Sequence, residues 1–493
     1  MLRLGAVPAG DGTTDVCVWA PACERVAVRA EEEVELERDG EYWVGTFAGE
    51  EYRLVADGEA WPDPCSRRQP QGVRGPSRVL DAGAFEWSDD GWDGLSLDEL
   101  VIYELHVGTF SGQGTFDGVV PRLRGLRELG VTAIELMPVA TFPGDRGWGY
   151  DGLYTYAVHP TYGGPHGLAR LVDAAHAEGL GVILDVVYNH VGPGDEALRA
   201  FGPYFTDRHE TFWGDALDYS QRGVREWAIQ NAEQWVRDFH VDGLRLDAVH
   251  AIFDDSQLHV CAELKQRVGD ALVVSEMAVD DWRPIEEWGH DAQWADEFHH
   301  ALHVLLTGER EGYYADYGSV ASLAEDLAGA GHDPRRSVIC AQNHDQVGNR
   351  ALGDRLPEDA LRVAAAVTLF SPCTPLLFMG EERFERAPFQ FFTDHIDPAI
   401  AEATRAGRKR EFAEFASFTG EEVPDPQALE TFLRSKLRPG EPDPLYRELL
   451  ALRRELPREL EAEVDEEAKT LRLRRGNVTL VADFDNRRVE FSR

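Results

Sequence analysis

From about residue 100 the chain repeats one unit: a short apolar run, then a segment of helical period, then another apolar run. "VIYELHVGTF" (101–110), "VTAIELMPV" (131–139), "GVILDVVYNH" (181–190) and "VDGLRLDAVH" (241–250) read as the first four strands. "LVVSEM" (272–277), "DAQWADEF" (291–298), "SVICAQNHD" (337–345) and "PLLFMGEE" (375–382) supply four more. Helical segments fall between them. "VVPRLRGLRELG" stops at Gly130; "GLARLVDAAHAEG" (167–179) aligns Leu168, Leu171, Val172 and Ala175 before Gly179; "VREWAIQNAEQWVRDF" (224–239) aligns Val224, Trp227, Ala228, Trp235, Val236 and Phe239. Strands alternating with helices over this length predict an α/β fold, a closed (β/α)8 TIM barrel.

The flanks have another rhythm. "VCVWAP", "RVAVRAE", "EYWVGTFAG" and "EYRLVAD" are short β segments separated by turns, as in a small sandwich of immunoglobulin-like type over residues 1–85. "WPDPCSRRQPQGVRGPSRV" (61–79) reads as an ordered connection. The barrel is expected over 86–439, and over 440–493 the helix "PLYRELLALRREL" followed by "TLRLRRG" and "TLVADFDN" predicts a short C-terminal β domain.

Composition excludes several function classes. A formal charge of −40, from 89 acidic and 49 basic residues, argues against a nucleic-acid partner. No apolar run of about 18 residues is available to span a membrane, and the N-terminus lacks the charged head and long apolar body of a signal peptide. Cysteines 17, 23, 65, 261, 340 and 373 lack metal-ligand spacing, which predicts free thiols and a cytoplasmic location. The acidic runs 31–41 and 459–469 read as solvated faces.

The strand ends are where a barrel keeps its chemistry. Here they are repeatedly polar: Asp185, Tyr188, Asn189 and His190 on the third, Arg245, Asp247 and His250 on the fourth, Glu276 on the fifth, and Asn343, His344 and Asp345 on the seventh. Alternation puts Arg245 and Asp247 on one face, opposite Leu244, Leu246 and Ala248. Two charges inside an apolar run either form a structural ion pair or do chemistry. No phosphate-binding glycine loop follows a strand and the histidines are not spaced as a metal triad, so no metal or cofactor is expected. Carboxylates among aromatic and neutral polar groups suit glycoside hydrolysis, which needs one ionised and one protonated carboxyl group. Arg245 would keep Asp247 ionised, and partial desolvation beyond "ALVV" would keep Glu276 protonated.

"DVVYNH" (185–190), "GLRLDAVH" (243–250), "SEM" (275–277) and "QNHDQVGNR" (342–350), in that order, resemble the α-amylase superfamily of glycoside hydrolases. The resemblance implies Asp247 as nucleophile, Glu276 as acid/base and Asp345 as transition-state stabiliser. It also implies His190, Arg245 and His344 around the sugar at the cleavage point, with Tyr150 of "GWGYDG" stacked beneath it. "DPCSRRQPQGVRGPSRV" resembles the linker of the branching-enzyme and trehalohydrolase group, which carries a sandwich of carbohydrate-binding-module type. "DAQWADEFHHALHVLLTGEREGYYADYG" (291–318), "HDQVGNRALGDRL" and "PFQFFTDHID" resemble the maltooligosyltrehalose trehalohydrolase family, whereas branching enzymes carry glutamate where this chain has Gln346. That implies a retaining hydrolase that releases trehalose from maltooligosyltrehalose and works beside the synthase making that substrate. The alternatives are a branching-type glucan transferase and a non-catalytic glucan-binding relative; the latter typically loses one of the three carboxylates kept here. Asp185 and His250 are further substrate-binding candidates. Trp213 either stacks on a sugar or packs a loop. Glu309 and Tyr313 either recognise trehalose or belong to a salt bridge at a helix end.

Overall fold

The computed structural model describes residues 2–413 and 422–493, and of Tyr313 the backbone alone. Eight parallel strands close into a barrel: β1 (Ile102–Leu105), β2 (Ala133–Leu136), β3 (Gly181–Val186), β4 (Gly243–Leu246), β5 (Leu272–Ser275), β6 (Ala292–Trp294), β7 (Ser337–Cys340) and β8 (Thr374–Phe378). β8 pairs with β1, with Leu376 opposite Ile102 and Phe378 opposite Glu104. Every strand residue is buried, so the runs are apolar on both faces except where side chains point up the lumen.

The period of two organises that lumen. Ile102, Ala133, Ile183, Val274 and Leu376 belong to one apolar cluster that plugs its lower part. Two residues further along the same faces stand Glu104, Glu135, Asp185 and Glu276, joined by Arg245 on β4. β1, β2, β3 and β5 thus each deliver an apolar side chain to the plug and a carboxylate above it.

The helices follow the expected stripes. α1 (Leu123–Leu129) ends at Gly130, whose φ of 120° needs a residue without Cβ. α2 spans Gly164–Ala177, starting earlier than its apolar stripe because Pro165 suits a first turn; Leu168, Leu171 and Val172 have no exposed surface. Such burial contributes about 1.5–3 kcal/mol per side chain. α3 (Arg222–Phe239) buries Trp227 and Trp235 against the strands. α4 (Asp296–Thr307), α5 (Glu358–Phe370) and α6 (Pro444–Glu455) complete the elements used below.

Several strands are shorter than the sequence predicts. The first ends at Leu105, and Val107–Phe110 is a helical turn. Asp296 opens α4 instead of extending β6, and His344 opens the short helix His344–Gly348 instead of extending β7. The alternating pattern outlasts the last ladder hydrogen bond, because side chains just past a strand still face the lumen. The antiparallel hairpin Phe205–Thr211/Gly214–Leu217 carries no clean alternation and was not expected.

Two antiparallel sheets precede the barrel. One orders Gly5–Pro8, Thr14–Trp19, Tyr42–Phe47 and Glu37–Asp39; the other includes Glu33–Glu35, Val26–Arg29, Glu51–Ala56 and Glu59–Trp61. Buried Leu36 is the step between the sheets, and the acidic residues around it are exposed. Trp19 fixes this unit to the barrel: a Cβ on Gly223 would meet its ring at 2.1 Å, and Tyr204 meets it edge-on at 5.1 Å. At the other end a four-stranded sheet over Glu461–Ser492 buries Leu471, Leu473, Leu480 and Ala482 on alternate positions. All six cysteines are buried free thiols. Among the described residues no helix is long and apolar enough to cross a membrane.

Candidate active site

Arg245 has no exposed surface and binds three carboxylates at once. Its Nη1 donates to Asp185 Oδ2 and Asp247 Oδ1, each at 2.8 Å, and its Nη2 donates to Glu276 Oε2 at 2.5 Å. The guanidinium carbon lies 4.1 Å from the ring centroid of Trp294 on β6, a cation–π contact that holds the fork flat. The ion pair allowed by the sequence exists, and it ties together two carboxylates proposed for different jobs.

Asp247 sits one residue past β4, 7% exposed. Its Oδ2 accepts from Asn189 Nδ2 at 2.6 Å, and the same amide reaches the Asp247 carbonyl at 2.8 Å. Ala248 then turns the chain with φ 40° and ψ 51°, which aims its N–H at Glu276 Oε2, 3.0 Å away. Both donors to Glu276 converge on that one oxygen; Oε1 makes no hydrogen bond among the described residues.

A second relay runs across the mouth. His344 Nε2 lies 2.7 Å from the Tyr150 hydroxyl, which donates to Asp185 Oδ2 at 2.6 Å. Glu104 accepts from both the His344 backbone N–H (2.9 Å) and its Nδ1 (2.5 Å). Burial opposes charge on this imidazole, but Asp345 and Glu104 together raise it to about 10, so it is a cation at neutral pH. Asp345 Oδ2 lies 3.4 Å from Nε2, and Oδ1 accepts from Asn349 Nδ2 at 3.0 Å. Tyr150 and His344 stack at 5.1 Å between centroids. Burial pushes Asp185 up to about 7, partly offset by Arg245.

His190 is held neutral, pushed down to about 4 by burial, with Nε2 3.0 Å from the Tyr150 carbonyl. Trp213, on the hairpin tip, lies parallel to that imidazole at 4.5 Å and stays 45% exposed. The structure therefore brings together Asp247, Glu276, Asp345, Tyr150, Asp185, His190, Arg245, His344 and Trp213. His250 is exposed in the turn Val249–Ala251 and joins no hydrogen bond among the described residues. Glu309 accepts from Arg350 and pairs with His303, both at 2.9 Å, and these contacts hold its carboxyl at about 2: it belongs to a salt bridge at the end of α4. The side chain of Tyr313 lies outside the described residues.

Sequence reasoning passed over Glu104, Glu135 and Asp296. Glu135 has neither carboxyl oxygen hydrogen-bonded, and burial, with Glu104 and Asp185 adding like charge, pushes its carboxyl well above the usual carboxylate range. Asp296, two residues past β6, is pushed up to about 7 by enclosure and by the charges of Glu276 and Asp345, although its side chain keeps some solvent contact. The signal was the shared phase with Ile102, Ala133 and Trp294, readable only once the barrel register is known.

Residues 89–202 match the family model "Alpha amylase, catalytic domain". The chain is 44% identical to the malto-oligosyltrehalose trehalohydrolase of Deinococcus radiodurans, over 92% of this chain and 83% of that protein. It is 41% identical to the malto-oligosyltrehalose trehalohydrolase of Rhizobium sp. M-11, over 98% and 93%. A crystal structure of a putative α-amylase from Salmonella typhimurium superposes with a TM-score of 0.89 at 37% identity, covering 98% of this chain and 93% of that one.

Proposed function

The chain belongs to the malto-oligosyltrehalose trehalohydrolase family of α-amylase-type glycoside hydrolases, and we propose that it cleaves the α-1,4 bond beside the terminal trehalose unit of maltooligosyltrehalose with retention of configuration. The observation that carries the mechanism is the single Arg245 guanidinium bonded to both Asp247 and Glu276. It supports the close carboxyl spacing of a retaining pair, roughly 5–5.5 Å, over the wider gap that an inverting enzyme needs for a water.

Asp247 attacks the anomeric carbon while the glycosidic bond breaks, and Glu276 gives its proton to the departing trehalose oxygen. Because Oε2 already accepts from Arg245 and from the Ala248 N–H, that proton resides on Oε1, the oxygen with no partner among the described residues. Water then attacks the glucosyl ester on Asp247 and passes a proton to Glu276, which restores both groups. Asp345 holds sugar hydroxyls as the ring flattens, steadied by the His344 cation. Asp185, Tyr150, His190 and Trp213 are the groups we assign to binding the sugar, with exposed His250 as a further contact. We propose further that the protein works in the cytoplasm, downstream of a synthase that supplies the trehalose-ended glucan.

The test is product analysis. Maltooligosyltrehalose should yield trehalose and a shortened α-configured maltooligosaccharide by proton NMR, while plain maltooligosaccharide of equal length is a much poorer substrate. Equal turnover of both, or iodine-detected branching of amylose, would overturn the assignment.

A further inference from the structure

At the barrel end opposite the carboxylates lies a cavity of about 640 Å³, within the size range of small-molecule sites. Its wall includes Leu100, Thr132 and Gly179, at the N-terminal approaches to β1, β2 and β3, and α6 with the C-terminal sheet closes it. Six arginines line it: Arg127, Arg335, Arg453, Arg454, Arg458 and Arg475. In a chain of net charge −40 this concentration of cations is anomalous.

Two carboxylates share the wall, Asp98 and Glu99. Asp98 accounts for two of the arginines, pairing with Arg335 and, at 3.2 Å, with Arg458. Glu99 forms no ion pair among the described residues, and neither do Arg127, Arg453, Arg454 and Arg475. Arg453 and Arg475 are spent on backbone carbonyls: Arg453 reaches those of Ser371 and Cys373, and Arg475 those of Phe370 (2.9 Å), Ser371 (3.1 Å) and Pro457 (2.7 Å). These contacts cap the C-terminal end of α5 and dock the last sheet, but a helix end offers only about half an elementary charge against two guanidinium cations. Burial pushes Arg453 down to about 10, with Arg475 adding like charge, and burial pushes Arg475 down to about 10 as well. Arg454 makes one bond, to the Gly130 carbonyl at 3.1 Å, and Arg127 projects from α1 with its guanidinium uncommitted among the described residues. Capping uses up Arg453 and Arg475; at the C-terminal end of α1 it engages only one donor of Arg454 and sets Arg127 in the last turn, so most of their N–H groups stay uncommitted among the described residues.

We propose that this cavity binds a small multivalent oxyanion, with the exposed guanidinium forks of Arg127 and Arg454 gripping it and the cations of half-buried Arg453 and buried Arg475 supplying the field behind. Planar forks match phosphate and carboxylate oxygens in pairs. A bound anion would also bridge α1 to α6 and so fasten the C-terminal unit to the barrel.

Pyrophosphate and citrate, at constant ionic strength against sodium chloride, are the probes. Calorimetry on the full chain should give one pyrophosphate per molecule, and the Tm should rise by about 2 °C or more at saturation. Citrate binding at the same site would make the ligand class any multivalent oxyanion; no citrate binding would restrict it to phosphate-bearing ones. Arg127→Gln with Arg454→Gln alters two exposed side chains, so the unliganded Tm should hold while affinity falls tenfold or more. No heat and no Tm rise at millimolar pyrophosphate would overturn the proposal. So would an affinity unchanged by the double variant. Glucan cleavage is not the readout, so the outcome is independent of the proposed function.

Discussion

Arg245 gives the carboxylates around it unequal freedom. Asp247 has both oxygens engaged, by Arg245 and Asn189, whereas Glu276 has one oxygen doubly engaged and one free of partners among the described residues. A fully engaged carboxylate suits a nucleophile that starts ionised; a half-engaged one suits a group that must carry and release a proton. Asp247→Asn, Glu276→Gln and Asp345→Asn should each lower kcat by on the order of 10³-fold or more. An activated substrate whose leaving group needs no proton should restore the first step of Glu276→Gln, and azide should restore its second. Asp247→Asn should gain nothing; the reverse pattern in steady-state and product analysis would exchange the two roles. Asp247 was a candidate because it stands two residues from Arg245 in an apolar run, a placement that demands pairing, and Glu276 because it closes another apolar run, whereas the role given to Asp345 came from the family resemblance. Glu104 and Glu135 were not, because a lone acid in "YEL" or "IEL" announces itself only when ring closure sets β1 beside β8 and His344 above both.

At the scale of elements, barrel, helices and flanking sheets were all readable from periods of two and 3.6, and what failed was the ends. "HVGTF" and "ADEF" keep the lumen-facing phase after the ladder stops, so pattern alone extends β1 and β6 into what are helical turns. The hairpin Phe205–Leu217 was missed for the opposite reason: "FTDRHETFWGDAL" is polar on both faces and packs mainly through its ends. That hairpin carries Trp213 onto His190, and a substitution there separates the two readings of the tryptophan. If it serves as a sugar platform, Trp213→Ala should raise KM about tenfold while kcat changes less than about threefold, the loss expected for one aromatic stack. Its 45% exposure predicts almost no change in Tm. A lower Tm with unchanged KM would make it a packing residue.

For the whole molecule, several buried groups tilt stability the same way with pH. Asp185 and Asp296 are pushed up to about 7 and Glu381 to about 8 by burial, so the folded chain holds protons the unfolded chain has already lost. Stability contributed by such groups falls as pH rises through that window. His344, raised to about 10, contributes fully below the ordinary histidine range and loses that contribution as pH climbs toward 10. At the acid end Glu309 and Glu466, held at about 2 by their partners, lose theirs as pH falls from the ordinary glutamate range towards 2. The urea midpoint should therefore decline from about pH 7 towards pH 9. Sodium chloride should raise it more at pH 8 than at pH 5, because screening relieves the self-repulsion of a −40 chain. A midpoint that climbs from pH 6 to pH 8 would contradict the raised acids.

The Arg245–Asp247–Ala248 turn has a consequence for how the enzyme tolerates change. The proposed nucleophile, its counter-ion and the N–H that holds the proposed acid come from four consecutive residues, so this part of the reacting geometry is inherited from chain continuity. Damage elsewhere should then be paid in the number of competent molecules and not in the speed of each one. Leu473, fully buried in the C-terminal sheet, is a clean place to look. Leu473→Ala should destabilise by about 2–5 kcal/mol. When active sites are counted with a covalent glycosyl inhibitor, turnover per labelled molecule should nevertheless match that of the parent; a per-site loss would mean that the remote sheet tunes the chemistry after all.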